Sequence, residues 1–183
     1  MSSKKRVCVF CGSTTGSNPI FAEEAKALGR NLVSKSVDLV YGGGGVGLMN
    51  EVANGVLAGG GEVQGVVPEH LNKQERVHKN ITTLHVTGTM HERKAMMAEL
   101  SDAFITLPGG FGTFEELMES ITWLQLGIHS KPVILFNIDG YYDQLISFID
   151  HAVESGFIRK EKRALLKVAN NSKECLDFLP FCD

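Results

Sequence analysis

Short apolar runs alternate along this chain with longer segments in which apolar residues recur every three or four positions. The short runs predict buried β-strands, because each is only five or six residues long and is bounded by glycine, proline or polar residues. The longer segments predict amphipathic helices. The predicted strands are residues 6–11, 37–41, 63–67, 81–86, 103–107, 132–137 and 165–169. The predicted helices are residues 21–34, 48–58, 90–100, a segment between Thr113 and Gly127, 142–154 and 172–179.

Strands that alternate with helices over the whole chain predict the fold class α/β. Such a pattern is typical of parallel strands joined by right-handed crossovers, with helices on both faces of the sheet. We therefore predict a Rossmann-like doubly wound parallel sheet. The chain has 183 residues, of which 43% are hydrophobic, which suits one domain with a full core. We expect a single domain over residues 1–183, without internal repeats.

The net charge of the chain limits the classes of partner that it can bind. The formal net charge is −3 at pH 7, so there is no basic field for a nucleic-acid polymer, whereas a single nucleotide needs only a local positive site. The apolar run after the basic N-terminus covers residues 7–11 and stops at Gly12 and Ser13. It is too short for a signal peptide or a membrane span, so we expect no membrane partner.

The cysteines indicate a reducing compartment. Four cysteines in a chain of this length are too few and too widely spread for a disulfide framework, which favours the cytoplasm. Cys8 and Cys11 have the C-x-x-C spacing of a redox motif. Cys8 falls inside the first predicted strand instead of at a helix start, so we interpret both as buried or loop thiols without redox chemistry.

The stretch at residues 103–119, AFITLPGGFGTFEELME, runs from a predicted strand through a glycine loop into a predicted helix. Glycine lacks a Cβ atom, so this loop can bring backbone N–H groups close to an anion. The helix start adds unpaired donors and a partial positive charge, and we therefore predict that the loop binds phosphate. Thr113 is placed to cap this helix, and Glu115 and Glu116 lie in its first turns, where carboxylates favour the helix dipole.

Two further glycine loops follow the first and second predicted strands. Ser13 in the first loop is a ligand contact or an ordinary turn hydroxyl. The second loop holds Gly42, Gly44 and Gly47 in the spacing G-x-G-x-x-G, typical of dinucleotide-binding folds. Such folds need an acid at the far end of the next strand, whereas Glu62 precedes it, so we favour a phosphate or ribose cradle over NAD binding. Because the carboxyl ends of parallel strands share one edge, we expect all three glycine loops to converge on one cleft.

The region between the third and fifth predicted strands carries polar candidates. Residues 68–80 are polar and irregular, which is typical of a lid or a substrate wall, or of solvated side chains. The following helix carries Arg93 and Lys94 near its start, where cations oppose the helix dipole unless an anion lies close by. From the residues alone, Arg93 is an anion ligand or an exposed surface side chain. The six histidines lack metal-ligand spacing, so we expect no metal site.

The segment Pro108-Gly-Gly-Phe-Gly-Thr-Phe-Glu-Glu116 resembles the PGGxGTxxE signature of the LOG ("Lonely Guy") family, the cytokinin riboside 5'-monophosphate phosphoribohydrolases. The similarity extends to Met90-His-Glu-Arg93-Lys94, residues 42–49, residues 123–127 and Asp139-Gly-Tyr-Tyr142, and so covers nearly the whole chain. A nine-residue motif between a strand and a helix, preceded by an Arg-Lys pair, is far more specific than a single glycine loop.

The resemblance implies hydrolysis of the N-glycosidic bond of an N6-substituted adenosine 5'-monophosphate, which releases the cytokinin base and ribose 5-phosphate. It implies that Glu116 stabilises positive charge on the ribose and acts on water, and that Arg93 positions the substrate with support from Lys94. Including Ser13, the predicted substrate-binding residues are Ser13, Glu75, Arg93, Lys94, Gly109, Gly110, Phe111, Gly112, Thr113, Phe114, Glu115, Glu116 and Thr122. It also implies no cofactor and a homodimer, whose contact we expect at the apolar residues 121–126.

Three alternatives remain. A nucleotide-binding module without turnover would keep the glycine loops but would not need both Arg93 and Glu116. Members of this family have also carried a lysine decarboxylase label, a chemistry that needs pyridoxal phosphate on a lysine, for which only Lys94 is a candidate. The same hydrolysis could act on plain AMP, because the sequence does not reveal a pocket for the N6 substituent.

Overall fold

A single sheet of seven parallel strands forms the centre of the computed structural model, which describes residues 4–72 and 77–182. The strands are β1 Lys5–Phe10, β2 Val37–Tyr41, β3 Val63–Pro68, β4 Thr83–Thr87, β5 Ala103–Thr106, β6 Val133–Phe136 and β7 Leu166–Ala169. The helices of these residues are α1 Ile20–Ser34, α2 Gly47–Ala58, α3 Glu69–Asn72, α4 Met90–Glu99, α5 Phe111–Leu126, α6 Asp143–Glu154, α7 Lys160–Arg163 and α8 Ser172–Asp177. A 3₁₀ turn, Ile138–Gly140, follows β6. The strand order is β4-β3-β2-β1-β5-β6-β7.

This arrangement confirms the predicted fold class, a doubly wound parallel α/β sheet in one domain. Hydrophobic periodicity located every strand to within two residues, because the inner strands are almost continuous apolar runs buried on both faces. The edge strand β4 is largely exposed. Two local predictions differ from the structure. Part of the segment expected to be irregular forms α3. Thr113 does not cap α5, because the helix already begins at Phe111 with Gly110 as its N-cap, and the Thr113 side chain is buried within the first turn.

Each face of the sheet carries its own core. Val9, Leu39 and Ile105 point to one face, which α1, α2 and α8 cover. Phe10 and Phe104 point to the other, where their rings stack at 5.7 Å under α4, α5 and α6. The helices that carry Arg93 and Glu116 therefore lie side by side on the same face of the sheet.

The order in which the chain adds strands to the sheet reverses between β1 and β5. The chain continues from β1 to β2, β3 and β4 on one side, whereas β5, β6 and β7 follow on the other. The loops that leave β1 and β5 therefore diverge and open a crevice at the carboxyl ends of the strands, where open parallel sheets bind ligands. The N–H of Gly12 donates to the carbonyl of Pro108 at 3.0 Å and joins the two loops at this point.

Cys8 and Cys11 lie in β1 and directly after it, and both thiols are buried. Burial raises the pKa of each thiol well above its usual value, so both stay protonated near neutral pH and are poor nucleophiles. Their environment supports the interpretation of the C-x-x-C pair as core residues. No helix within residues 4–72 and 77–182 is long and apolar enough to cross a membrane.

Candidate functional site

A cleft of about 330 Å³ occupies the crevice between β1 and β5. Residues from the loops after β1, β2 and β5 and from α3, α4 and α5 line it together. They are Val9, Phe10, Cys11, Gly12, Ser13, Gly42, Met49, Leu71, Met90, Arg93, Gly110, Phe111, Gly112, Thr113 and Glu116. The prediction that three glycine loops meet at one cleft is confirmed, since Gly12, Gly42 and Gly110 line it and each comes from a different loop.

Four consecutive carbonyl oxygens lead into the loop between β5 and α5, and each accepts a hydrogen bond from the protein. The pairs are Leu107 O with the Tyr142 hydroxyl at 2.7 Å, Pro108 O with Gly12 N at 3.0 Å, Gly109 O with the Tyr141 hydroxyl at 2.6 Å, and Gly110 O with Phe114 N at 3.0 Å. An anion is repelled by carbonyl oxygens and attracted by N–H groups. A loop whose carbonyls are all engaged elsewhere is therefore suited to an anionic ligand.

The backbone N–H groups at the end of this loop are also arranged for an anion. Among the described residues, no group accepts a hydrogen bond from the backbone N–H of Gly110, Phe111 or Gly112. These three groups open α5, whose N-cap is a glycine without a capping side chain, so the positive end of the helix dipole is also uncovered. Only glycine fits at position 109, because a Cβ atom there would overlap the side chain of Thr113. The geometry suits a phosphate at the start of α5.

Arg93 and Glu116 form the charged centre of the cleft. Nη1 of Arg93 donates to Oε1 of Glu116 at 3.0 Å, and Nε of Arg93 donates to the carbonyl of Val66 at 3.0 Å. The two side chains are only 13% and 12% exposed. The helix that carries Arg93 is itself anchored by a capping box between Thr89 and Glu92. The guanidinium is thus fixed by two acceptors on different elements and presents Glu116 in one orientation.

The environment of Glu116 shifts its protonation. Burial raises the pKa of Glu116, and the nearby Arg93 guanidinium opposes this shift without cancelling it. A carboxyl group whose pKa is raised toward neutral is better matched to proton transfer than an exposed glutamate. Glu116 is therefore equipped to accept a proton, while Arg93 keeps its anionic form accessible.

Lys94 follows Arg93 in sequence but contacts a different set of residues and does not line the cleft. Its Nζ donates to Glu115 Oε1 at 2.5 Å and to Glu119 Oε1 at 2.9 Å. Burial alone would lower the pKa of Lys94, but the two carboxylates raise it. Lys94 thus connects α4 to α5, and the anions that balance the two cations near the start of α4 are carboxylates of α5.

The second glycine loop contributes less to the cleft than its sequence predicts. Gly42 lines the cleft, and a Cβ atom there would overlap the Arg93 guanidinium. Gly44 instead forms a bridge with Val77, and a side chain at Gly47 would overlap the backbone of the first glycine loop. Of the glycines in the predicted phosphate or ribose cradle, Gly42 therefore lines the cleft, whereas Gly44 and Gly47 do not. Glu62 lies before β3, at the end of the strand away from the cleft, so Glu62 is not placed to hold the ribose of NAD.

The predicted site residues divide into two groups. Those that line the cleft are Ser13, Arg93, Gly110, Phe111, Gly112, Thr113 and Glu116. The others do not line it: the carbonyl of Gly109 accepts from the Tyr141 hydroxyl, Phe114 packs on the ring of Tyr142 at 6.3 Å, and Glu115 holds Lys94. Thr122 donates to the carbonyl of Met118 at 2.6 Å on an exposed part of α5 and does not line the cleft, so its contact with the substrate stays a prediction. Glu75 lies outside the described residues.

The apolar wall of the cleft was not predicted from the sequence. Met49, Leu71 and Met90 line it. Met49 and Met90 lie in segments that carry the resemblance, but none of the three was predicted to contact the ligand. Met49 and Met90 each lie in the first turn of a helix that follows a strand–loop connection, and this position was the available signal. Leu71 lies in α3, within the segment expected to be irregular.

Comparison with sequence families agrees with the geometry. A family described as "Possible lysine decarboxylase" matches residues 49–179, a span that includes Arg93, the glycine loop and Glu116. A cytokinin riboside 5'-monophosphate phosphoribohydrolase of Arabidopsis thaliana is 53% identical over 170 residues, which cover 93% of this chain and 78% of the relative. Another from the same plant is 49% identical over 183 residues, which cover 98% of this chain and 86% of the relative.

Solved structures share the fold at lower identity. A molybdenum cofactor binding protein from the phototrophic bacterium Rippkaea orientalis superposes with a TM-score of 0.73 at 22% identity. The match covers 97% of this chain and 96% of that protein. At this level of identity the likeness concerns the fold alone.

Proposed function

This chain belongs to the LOG family of cytokinin riboside 5'-monophosphate phosphoribohydrolases, and from this premise we propose that its cleft hydrolyses the N-glycosidic bond of N6-substituted adenosine 5'-monophosphates. One water is consumed for each bond broken. Its oxygen bonds to C1' of the ribose, the bond from C1' to the base breaks, and the base leaves with a proton. The products are the free cytokinin base and ribose 5-phosphate.

The observation that carries this proposal is the buried Arg93–Glu116 pair beside an unfilled helix start in one cleft. The phosphate binds to the N–H groups of Gly110, Phe111 and Gly112, and Thr113 and Ser13 complete its surroundings. This contact places the ribose against Glu116. As the base departs, positive charge develops on the ribose, and the carboxylate stabilises that charge and accepts a proton from water. Arg93 orients both the carboxylate and the substrate.

The remaining predicted residues support this centre indirectly. Lys94 and Glu115 hold α4 against α5, which keeps Arg93 in reach of Glu116. Phe114 anchors the first turn of α5 in the core through its contact with Tyr142. Both roles are structural, so we assign direct substrate contact to the cleft-lining residues.

The apolar wall supports a substituted adenine over plain AMP. Met49, Leu71 and Met90 give part of the cleft a surface without hydrogen-bonding groups. An N6 hydrocarbon substituent gains from burial there, roughly 0.8 kcal/mol for each methylene group. AMP has no group for this wall and is the weaker substrate.

A lysine decarboxylase activity does not fit these residues. Pyridoxal phosphate chemistry needs a lysine whose amine loses its proton easily. The pKa of Lys94 is raised by two carboxylates, and no lysine of the described residues lines the cleft. The charged centre instead suits hydrolysis.

We propose further that the protein is a cytoplasmic homodimer that binds no nucleic-acid polymer. The outer side of α5 exposes Met118 and Leu126, and a groove of about 250 Å³ lies beside it between α5, α6 and α7. Exposed apolar surface of this kind is typical of an interface between subunits. Buried free thiols such as Cys8, Cys11 and Cys175 suit a reducing compartment.

The test compares base release from isopentenyladenosine 5'-monophosphate, from isopentenyladenosine and from AMP, each at saturating concentration. The monophosphate releases base rapidly and the riboside is nearly inert, because phosphate binding also orients the ribose. AMP requires a higher concentration to saturate, because it lacks the apolar contact. Equal release from monophosphate and riboside would overturn the phosphate site. Binding of all three ligands without release of any base would show a nucleotide-binding module.

A further inference from the structure

Tyr141 holds one carbonyl of the loop that opens α5. Its hydroxyl donates to the carbonyl oxygen of Gly109 at 2.6 Å, across 32 residues of sequence. A phenol has a single hydrogen, and here it is given to this carbonyl. Tyr141 therefore acts on the loop and does not offer that hydrogen to a ligand.

The contact determines the direction of a donor on the other side of the peptide bond. In a trans peptide the carbonyl and the next N–H point in opposite directions, and no cis peptide occurs in the described residues. Tyr141 holds the oxygen of Gly109, so the N–H of Gly110 points the opposite way. Gly110 lines the cleft. Because both neighbours of this peptide bond are glycines, nothing in their own side chains prevents the peptide from rotating.

Tyr141 is itself held in place by its surroundings. It follows the 3₁₀ turn, in which Asp139 has a left-handed φ of 52° and accepts a hydrogen bond from Asn18 at 2.8 Å. The ring of Tyr141 packs edge-on against Phe21 at 5.8 Å and Tyr142 at 4.8 Å. The hydroxyl therefore reaches Gly109 from a fixed position.

We propose that Tyr141 is a positioning residue that sets the phosphate selectivity of the cleft, by keeping the Gly109–Gly110 peptide oriented with its N–H toward the ligand. This inference rests on the proposed function, since it concerns the phosphate of the same substrate. Without the hydroxyl, the peptide samples both orientations, and one of them presents an oxygen to the phosphate. Phosphate-bearing ligands lose affinity, whereas ligands without phosphate do not.

The experiment uses Tyr141→Phe, which keeps the ring contacts and removes only the hydroxyl. Calorimetry measures the binding of ribose 5-phosphate and, separately, of the free base isopentenyladenine. We expect roughly three- to tenfold weaker binding of ribose 5-phosphate, the usual effect of one hydrogen bond, with unchanged binding of the base. The matched control is Tyr142→Phe, because the Tyr142 hydroxyl donates to the carbonyl of Leu107, and the next residue, Pro108, has no N–H to present to a ligand. This buried change lowers the unfolding midpoint but leaves the ratio of the two affinities as in the parent.

Two outcomes contradict the inference alone. Tyr141→Phe could bind ribose 5-phosphate as tightly as the parent protein, or it could lose affinity for both ligands equally, which would indicate a general structural role. If the parent protein itself binds no ribose 5-phosphate, the proposed function fails and this inference falls with it. The parent measurement therefore separates the two failures.

Discussion

Arg93 of α4 and Glu116 of α5 are joined by a hydrogen bond of 3.0 Å, with both side chains almost completely buried. Burying such a pair costs several kcal/mol of desolvation for each ion, and the attraction between them repays this cost only in part. Lys94 makes a second, independent connection between the same two helices. A mostly buried ion pair that lines a cleft indicates a chemical role.

Replacing Glu116 by glutamine tests that role. Glutamine keeps the shape and a hydrogen-bonding oxygen but cannot stabilise positive charge or accept a proton, so kcat falls by roughly 100-fold or more. Binding of the monophosphate is retained. The matched control is Glu119→Gln, one helical turn further along α5, which affects the contact to Lys94 only. Parental kcat in a folded Glu116→Gln protein would contradict the assignment.

The pH profile follows from the environment of Glu116. Burial raises its pKa, and the ionised form is the active one, so activity is present above this pKa and is lost as the pH falls through it. The acidic limb of kcat/KM therefore lies above the usual range for glutamate. Steady-state assays across the pH range measure it directly. A limb at or below the ordinary glutamate pKa would show that another group controls the reaction.

Gly112 offers a test that separates binding from folding. A Cβ atom there meets no protein atom within 4 Å, and alanine is usually better than glycine in a helix by about 1 kcal/mol. Gly112→Ala therefore folds at least as stably as the parent, while the added methyl group obstructs the phosphate and raises KM roughly tenfold. Chemical denaturation and substrate titration measure the two effects.

The contrasting variant is Gly109→Ala, whose Cβ atom would overlap Thr113. This change lowers the unfolding free energy as well as activity. An unchanged KM for Gly112→Ala would show that the start of α5 does not bind the phosphate.

The proposed dimer has its own test. Light scattering at micromolar concentration gives about twice the chain mass of 19.9 kDa. Leu126→Glu places a charge on the exposed apolar end of α5 and shifts the protein toward monomer. Phe178→Glu is the matched control, because Phe178 is an exposed apolar residue after α8, on the other face of the sheet. A parent protein that scatters only as a monomer rules out the dimer.

The sequence was sufficient to predict those features that are encoded by neighbouring residues. The strand, glycine loop and helix at residues 103–126 are encoded by neighbouring residues, because glycine and apolar periodicity act over a few positions. The same periodicity predicted the parallel sheet. The position of the cleft also followed, since loops at the carboxyl ends of parallel strands share one edge.

The sequence was insufficient to predict side-chain contacts between residues that are distant along the chain. Arg93 and Lys94 are adjacent and suggest one shared role, yet successive helical residues point about 100° apart, which sends Lys94 to Glu115 and Glu119. Tyr141 reaches Gly109 from a separate turn, and no local pattern announces such a contact. Thr113 has the residue type of a cap, but the helix begins two residues earlier, so its hydroxyl cannot serve the helix start.

The hydrogen bond from Gly12 to Pro108 has a consequence for the newly made chain. Its two partners belong to the first and the fifth strand units, so no cleft exists on the ribosome until α5 has been synthesised and β5 has inserted beside β1. A nucleotide therefore cannot template early folding. Once bound, it stabilises both halves of the sheet together, by an amount that grows with the logarithm of its concentration.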